Sequence, residues 1–423
     1  MRYTRGSSPF VPTNRVEVEP RQCRLLRGET GASFAACASC ARLFARRSGP
    51  SSYASIERHE NRRPVTQTGI IGLPQVGKTS LFRILTGVRV DAKTQPGQMH
   101  VGIARVPDAR IVKLAELFKP KKLTYATVEY VDIGGLQKDR AKDSASLVPL
   151  READALMHVV RLFDDPSMPH PSGSLDALRD IESVEIELML NDLEQAAKRL
   201  ERVEKDLKKK KDPQAEAEKN VLDRCIKALE SETPLRELEF KPEEQKIVNG
   251  FMFVSRKPML FALNLGDDEA ADMQGAVARH NLSKLTGKAR TAVVAFCGKV
   301  ESELVDLSDA EAKELMSAYG LTEPGRDRLL RASYELLGLI SFLTCGEPEC
   351  RAWTIPRGTS AAKAAGAIHS DIESHFIKAE VVRWEELLAA GSWAAARECA
   401  QVRLEGRDYI VEDGDVILFR HSG

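Results

Sequence analysis

From residue 67 onward the chain alternates short apolar runs with longer amphipathic stretches. Residues 68–71 (TGII) read as a short buried strand, followed at once by the loop GLPQVGKTS and a helical stretch, LFRILTG. In TYATVEYVDIGGL the apolar and polar positions alternate, as they do along a strand. EADALMHVVRLF reads as a helix end and a second buried strand, KPMLFALNLGD as a third, and ARTAVVAFCGKVESEL supplies the next. Strands interleaved with helices predict an α/β fold.

Between residues 180 and 248 the pattern changes to long, charged helices. Ile186, Met189, Leu193, Ala196, Leu200, Val203 and Leu207 recur at spacings of three and four, a heptad seam with Glu, Lys and Arg outside it. The run from Lys208 to Pro213 ends that helix and makes a turn. A return helix carrying Val221, Cys225, Ala228 and Leu235 packs back antiparallel, so residues 176–250 are expected to form an inserted helical coiled coil. Its lysine tip is a candidate contact for RNA phosphates. Near the C-terminus, alternating strands, one central helix and a DGD hairpin turn read as a small β-grasp module over residues 344–423.

Composition changes this picture in three ways. Lys plus Arg equals Asp plus Glu, 62 against 62, so nucleic acid can be met only through local patches. No apolar run approaches the roughly 20 residues that a membrane helix needs. The eight cysteines are scattered over a long chain, which reads as reduced and intracellular rather than as a disulfide scaffold, and the cytoplasm is the expected location. The first 66 residues stand apart: twelve Arg, five Glu, no Lys and no Asp. That stretch lacks hydrophobic periodicity and is expected to be a disordered tail; an organelle transit peptide or an upstream start codon are the other readings. Cys37 and Cys40 form a lone CxxC there, without the second pair that zinc requires.

The chemistry centres on residues 72–80. Gly72, Gly77, Lys78 and Thr79 form GxxxxGK[ST] between a strand and a helix, the context a phosphate-binding loop needs. Backbone amides from Gln75 to Ser80, Val76 among them, can wrap phosphates, and the helix N-terminus adds its dipole. Lys78 would reach the β and γ phosphates, and the Thr79 hydroxyl would ligate Mg²⁺. Asp132 at a strand end, with Gly135 three residues on, makes a DxxG arrangement. Asp132 can hold Mg²⁺ through a water, and the Gly135 amide can approach a γ-phosphate. Asn264, Leu265 and Asp267 occupy the place where GTPases carry [NT]KxD, with Leu265 standing where the Lys would be. Cys297, Gly298 and Lys299 could close over the base. His158 reads as a packed polar residue, and His170, in the loop DDPSMPHPSG, as exposed.

These motifs resemble those of the Obg-like ATPases, the YchF family, over roughly residues 69–423. GLPQVGKTS is similar to the family's GLPNVGKST, and VDIGGL to VDIAGL. The C-terminal segments RAWTIPRGTSAAKAAGAIHSDIESHFIKAEV and RLEGRDYIVEDGDVILFR carry the most specific match. The resemblance implies an OBG-type P-loop nucleotide-binding domain over residues 67–343 that contains the coiled coil, followed by a C-terminal TGS domain. It implies ATP hydrolysis with Mg²⁺ and association with the ribosome. It places Leu136 where Ras-like proteins carry a catalytic Gln. It aligns FDDPSMPHPSG with FENDNIIHVSG, which makes His170 the expected catalytic residue.

Three departures matter. Asp267 replaces the family's Glu, and an Asp there pairs guanine in GTPases. The family's switch I segment PFCTIEPN is not recognisable in DAKTQPGQMHVG. Its Mg²⁺-binding Thr therefore has only Thr94 as a candidate, where direct alignment puts Pro96. The expected activity is an ATPase switch; a GTPase using Asp267, or a nucleotide-holding ribosome adaptor with negligible hydrolysis, are the alternatives.

Overall fold

The computed structural model describes residues 66–89, 99–133 and 148–422. The N-terminal tail with Cys37 and Cys40, and the positions Thr94, Pro96, Gly135 and Leu136, lie outside the described residues.

The strands are β1 (Gln67–Ile71), β2 (Met99–Arg105), β3 (Lys122–Thr124), β4 (Thr127–Ile133), β5 (Ala155–Leu162), β6 (Met259–Leu265), β7 (Thr291–Phe296), β8 (Leu339–Cys345), β9 (Glu349–Pro356), β10 (Phe376–Arg383), β11 (Arg403–Glu405) and β12 (Asp415–His421). They make two six-stranded sheets. The first runs β2-β4-β1-β5-β6-β7 and is parallel except at its edge, where β2 pairs antiparallel with β4. Every residue of β5 and of β6 is buried. Parallel strands covered on both faces read as continuous apolar runs for this reason. Helices Lys78–Thr86 and Gly325–Leu336 cover one face through Leu81, Phe82, Leu329 and Leu330. The start of helix Ala177–Lys209 covers the other through Ile181, Val184 and Leu188.

That second contact corrects the heptad reading at its N-terminal end. Ile186 is 38% exposed, because the first turns of the helix pack on the sheet and not on the return helix. The seam begins at Met189, and Ala196 and Val203 meet Val221, Leu222, Cys225 and Leu229 of helix Pro213–Glu230. Asp212 caps that helix by accepting from the Gln214 amide, and Pro213 sits at its first position, where its missing N–H costs nothing. Leu235 lies beyond the helix, in a short 3₁₀ turn, and still closes the same core.

The second sheet runs β11-β10-β12-β8-β9-β3 and mixes parallel with antiparallel pairs. Its Ala-rich helix Ala361–Ile368 buries one face with Phe342, Val381 and Ile417. Two of its features are not visible in the sequence pattern. β8 straddles residue 344, where the sequence suggests a boundary. β3, which precedes β4 in the chain, leaves the first sheet and pairs with β9 in the second.

Candidate nucleotide site

The loops that follow β1, β5, β6 and β7 gather at the carboxyl ends of the parallel strands, beside Asp132 near the end of β4. This is where ligands bind in open α/β folds. The phosphate-binding loop leaves β1 at Gly72, whose φ is +141° and whose added Cβ would lie 2.5 Å from the Val159 carbonyl oxygen. Gly77 (φ +97°) ends the loop against Asn264, and a Cβ there would stand 2.6 Å from Asn264 Nδ2. Helix Lys78–Thr86 follows with no side-chain cap at its N-terminus, so its first amides remain free for an anion.

Lys78 is buried and turned back on its own loop: Nζ donates to the carbonyls of Gly72 (3.0 Å) and Leu73 (2.5 Å). Burial lowers its pKa to about 8, partly opposed by the charge of Asp132. The Thr79 hydroxyl donates to Asp132 Oδ2 at 2.9 Å. Asp132 is buried beside β1 and its Oδ1 has no hydrogen-bond partner. A hydroxyl and an unsatisfied buried carboxylate oxygen at the foot of a phosphate loop are the hard-oxygen donors Mg²⁺ takes, so these residues fit the ion.

On the base side, Asn264 is a brace. Its Nδ2 donates to the Val76 carbonyl (3.0 Å) and its Oδ1 accepts from the Gly298 amide (2.9 Å). Gly298 must be glycine for the same closeness, since its Cβ would sit 2.8 Å from Asn264 Oδ1. Leu265 is buried at the end of β6. Asp267 is ion-paired with Lys299, and that bond holds its carboxyl below the usual range. Both side chains are well exposed, so the pair adds little stability; its interest is chemical. Together these residues line a cavity of about 1060 Å³, room enough for a nucleotide.

The loop after β5 forms another wall, through Phe163, Asp164, Asp165, Pro166 and Met168. Arg161, almost fully buried, fixes it: Nε donates to the Phe163 carbonyl (3.1 Å) and Nη2 to the Met168 carbonyl (2.8 Å). The one signal for Arg161 in the sequence is a cation inside an apolar run. His170 is where the sequence reading fails. It is not exposed: its side chain is 4% accessible, Nε2 lies 3.0 Å from Asp180 Oδ2, and Nδ1 accepts from the Ser172 amide. It does not line the cavity. Asp180, in the first turn of helix Ala177–Lys209, lies against it, close but without hydrogen-bond geometry between Nε2 and Oδ2. His158, read as a packed polar residue, is buried, and burial lowers its pKa to about 3, with the charges of Lys78 and Arg236 adding to the effect. It is a neutral imidazole beneath Gly72.

Gln75, Gly77, Lys78, Thr79, Ser80, Asn264, Leu265 and Asp267 thus share one cavity. Gly72 and Val76 serve it through backbone contacts and Asp132 through Thr79.

Fold and site define a P-loop nucleoside-triphosphate-binding protein with a helical hairpin inserted after its third parallel strand. Residues 67–212 match the MMR_HSR1 family model, described as 50S ribosome-binding GTPase. Residues 339–422 match YchF-GTPase_C, described as a protein of unknown function. The chain is 42% identical over 361 residues to the ribosome-binding ATPase YchF of Bacillus subtilis, covering 84% of this chain and 98% of that protein. It is 37% identical over 358 residues to the ribosome-binding ATPase YchF of Escherichia coli O157:H7, covering 83% and 98%. The solved structure of the Schizosaccharomyces pombe YchF GTPase superposes with a TM-score of 0.74 at 26% identity, covering 85% of this chain and 99% of that one. The chain belongs to the YchF family.

Proposed function

We propose that this protein is a ribosome-associated P-loop ATPase, with Mg²⁺ as its cofactor and the ribosome as its partner. The observation that carries the reading is the Thr79–Asp132 pair under a free helix N-terminus, with Asp132 Oδ1 left unsatisfied. Thr79 and Asp132 would hold Mg²⁺, which supplies charge neutralisation at the β and γ phosphates. Lys78 exchanges two neutral carbonyls for phosphate oxygens, which recovers the free energy lost on its burial. Amides from Gln75 to Ser80 cradle the phosphates. Asn264 keeps the phosphate loop and Gly298 at fixed separation, so base and phosphates are held in one register.

His170 is the candidate for positioning the attacking water, and it reaches the cavity only after leaving Asp180. Adenine is the favoured base, because Lys299 competes for the Asp267 carboxylate that would accept from guanine N1–H and its exocyclic amine. The GTPase reading keeps one observation in its favour, the presence of Asp267 at the cavity mouth. The names of the relatives support the ribosome as partner, with the lysine tip between helices Ala177–Lys209 and Pro213–Glu230 and the C-terminal TGS domain as the contact surfaces. Among the described residues no helix is long and apolar enough to cross a membrane; a protein working on the ribosome would act in the cytoplasm. Competition binding of ATP against GTP on the full chain tests the choice of base. Co-sedimentation with ribosomes, with and without nucleotide, tests the partner.

A further inference from the structure

Strands β8 and β9 form an antiparallel hairpin whose innermost bond runs from the Gly346 amide to the Glu349 carbonyl, at 3.2 Å. The next rung places Cys345 directly opposite Cys350. Rungs of an antiparallel ladder alternate, and the rung beside a hydrogen-bonded one is the close type, with Cα atoms about 4.5 Å apart. That separation lies within the roughly 4.4–6.8 Å a disulfide spans. Directly opposed side chains share one face of the sheet, and both thiols here join one apolar cluster. Cys350 is fully buried in it, and Cys345 lies half-buried against it. On its far side β9 carries β3, with Leu123 opposite Cys350, and the Lys121 amide donates to the Glu347 carbonyl at 3.0 Å. The cysteine rung therefore sits where the nucleotide-binding part of the chain joins the second sheet.

We propose that Cys345 and Cys350 are a reversible modification site: a cross-strand dithiol that hydrogen peroxide converts to a disulfide, clasping the hairpin on which β3 docks. One sulfur of the rung, as its thiolate, attacks a peroxide oxygen; the O–O bond breaks, hydroxide leaves and a sulfenic acid forms. The other sulfur then attacks that sulfur, the S–S bond forms, and the hydroxyl leaves as water with the thiol proton. Two thiols are oxidised and one peroxide is reduced to two waters. A dithiol reductant reverses the step by exchange. The rung already has disulfide spacing, so closure requires no strand movement, and the folded chain closes it faster than the unfolded one.

Cleavage after Arg331 and Arg351 gives one tryptic peptide holding both residues and no other cysteine. Full-length protein is treated with hydrogen peroxide, alkylated without reduction and digested. The expected result is that this peptide carries no alkyl group and is lighter than the dithiol by two hydrogen atoms. Dithiothreitol should restore double alkylation, and the same peroxide in guanidinium should close the pair severalfold more slowly. In the clasped protein, amide hydrogen exchange over residues 122–124 and 349–351 should be severalfold slower than in the reduced protein. Cys345→Ser should abolish both effects while leaving the fold intact, because its side chain is only half-buried. If both thiols are alkylated in a sample whose exposed Cys399 has been oxidised, the site is overturned. If the disulfide forms and exchange at β3 and β9 is unchanged, the clasp is overturned.

Discussion

His170 Nε2 lies 3.0 Å from Asp180 Oδ2, both side chains buried, and the imidazole lies outside the lining of the nucleotide cavity. The residue proposed to position the attacking water is thus packed against the first turn of the inserted helical hairpin. If His170 has that role, the contact would link the hairpin to the chemistry. His170→Ala is expected to lower turnover by on the order of 10²-fold with ATP affinity nearly unchanged, as for a group acting on the attacking water. Asp180→Ala frees the imidazole and is expected to raise basal turnover severalfold. Single-turnover and steady-state phosphate release check both; unchanged turnover in His170→Ala moves the role elsewhere.

Lys78 gives a prediction about stability as well as binding. Its folded pKa of about 8 lies below the usual 10.5, with burial as the main cause. Between these values the unfolded chain binds more protons than the folded one, so stability rises with pH from about 8 to 10.5. Below pH 8 the cost is fully present. Lys78→Met should therefore abolish ATP binding yet stabilise the nucleotide-free protein near neutrality, by roughly 3.4 kcal/mol at most. The gain should fade as pH approaches 10.5, the lysine's ordinary pKa. Denaturant unfolding at several pH values measures it. A destabilised variant, or a gain that does not change with pH, contradicts the assignment.

Lys299 bears on the choice of base. Its ammonium is paired with Asp267 at the cavity mouth. Lys299→Ala leaves the carboxylate free to accept from guanine, so GTP affinity should rise severalfold relative to ATP. Had Lys299 instead been reading the guanine carbonyl oxygen, the same variant would lose GTP affinity. Competition titration against a labelled ATP analogue distinguishes the two by the sign of the change.

The parallel sheet and the phosphate loop are legible in the sequence because each is local: apolar runs such as MLFALNL have strand length, and GLPQVGKTS carries its own loop geometry. What the sequence hides is set by distant partners. β3 is three residues long and becomes a strand only because β9 offers an edge. Ile186 keeps the heptad spacing but points away from the seam, because Ile181, Val184 and Leu188 meet the sheet first. His170 sits among Pro and Ser, as a solvated residue would, and is buried against an aspartate on the next helix. Asn264 has the composition of a base reader, while both ends of its amide are spent on Val76 and Gly298. Lys299 and Asp267 are 32 residues apart, a separation no local pattern can bridge.

The cavity above Thr79 and Asp132 is proposed to bind and hydrolyse ATP in the service of the ribosome. Multiple-turnover phosphate release from ATP by the full-length protein, with and without ribosomes and beside Lys78→Met, tests it most directly. Release is expected to require Mg²⁺, to rise with ribosomes and to vanish in the variant. Equal release by Lys78→Met, or tight ATP binding without turnover under either condition, would contradict it.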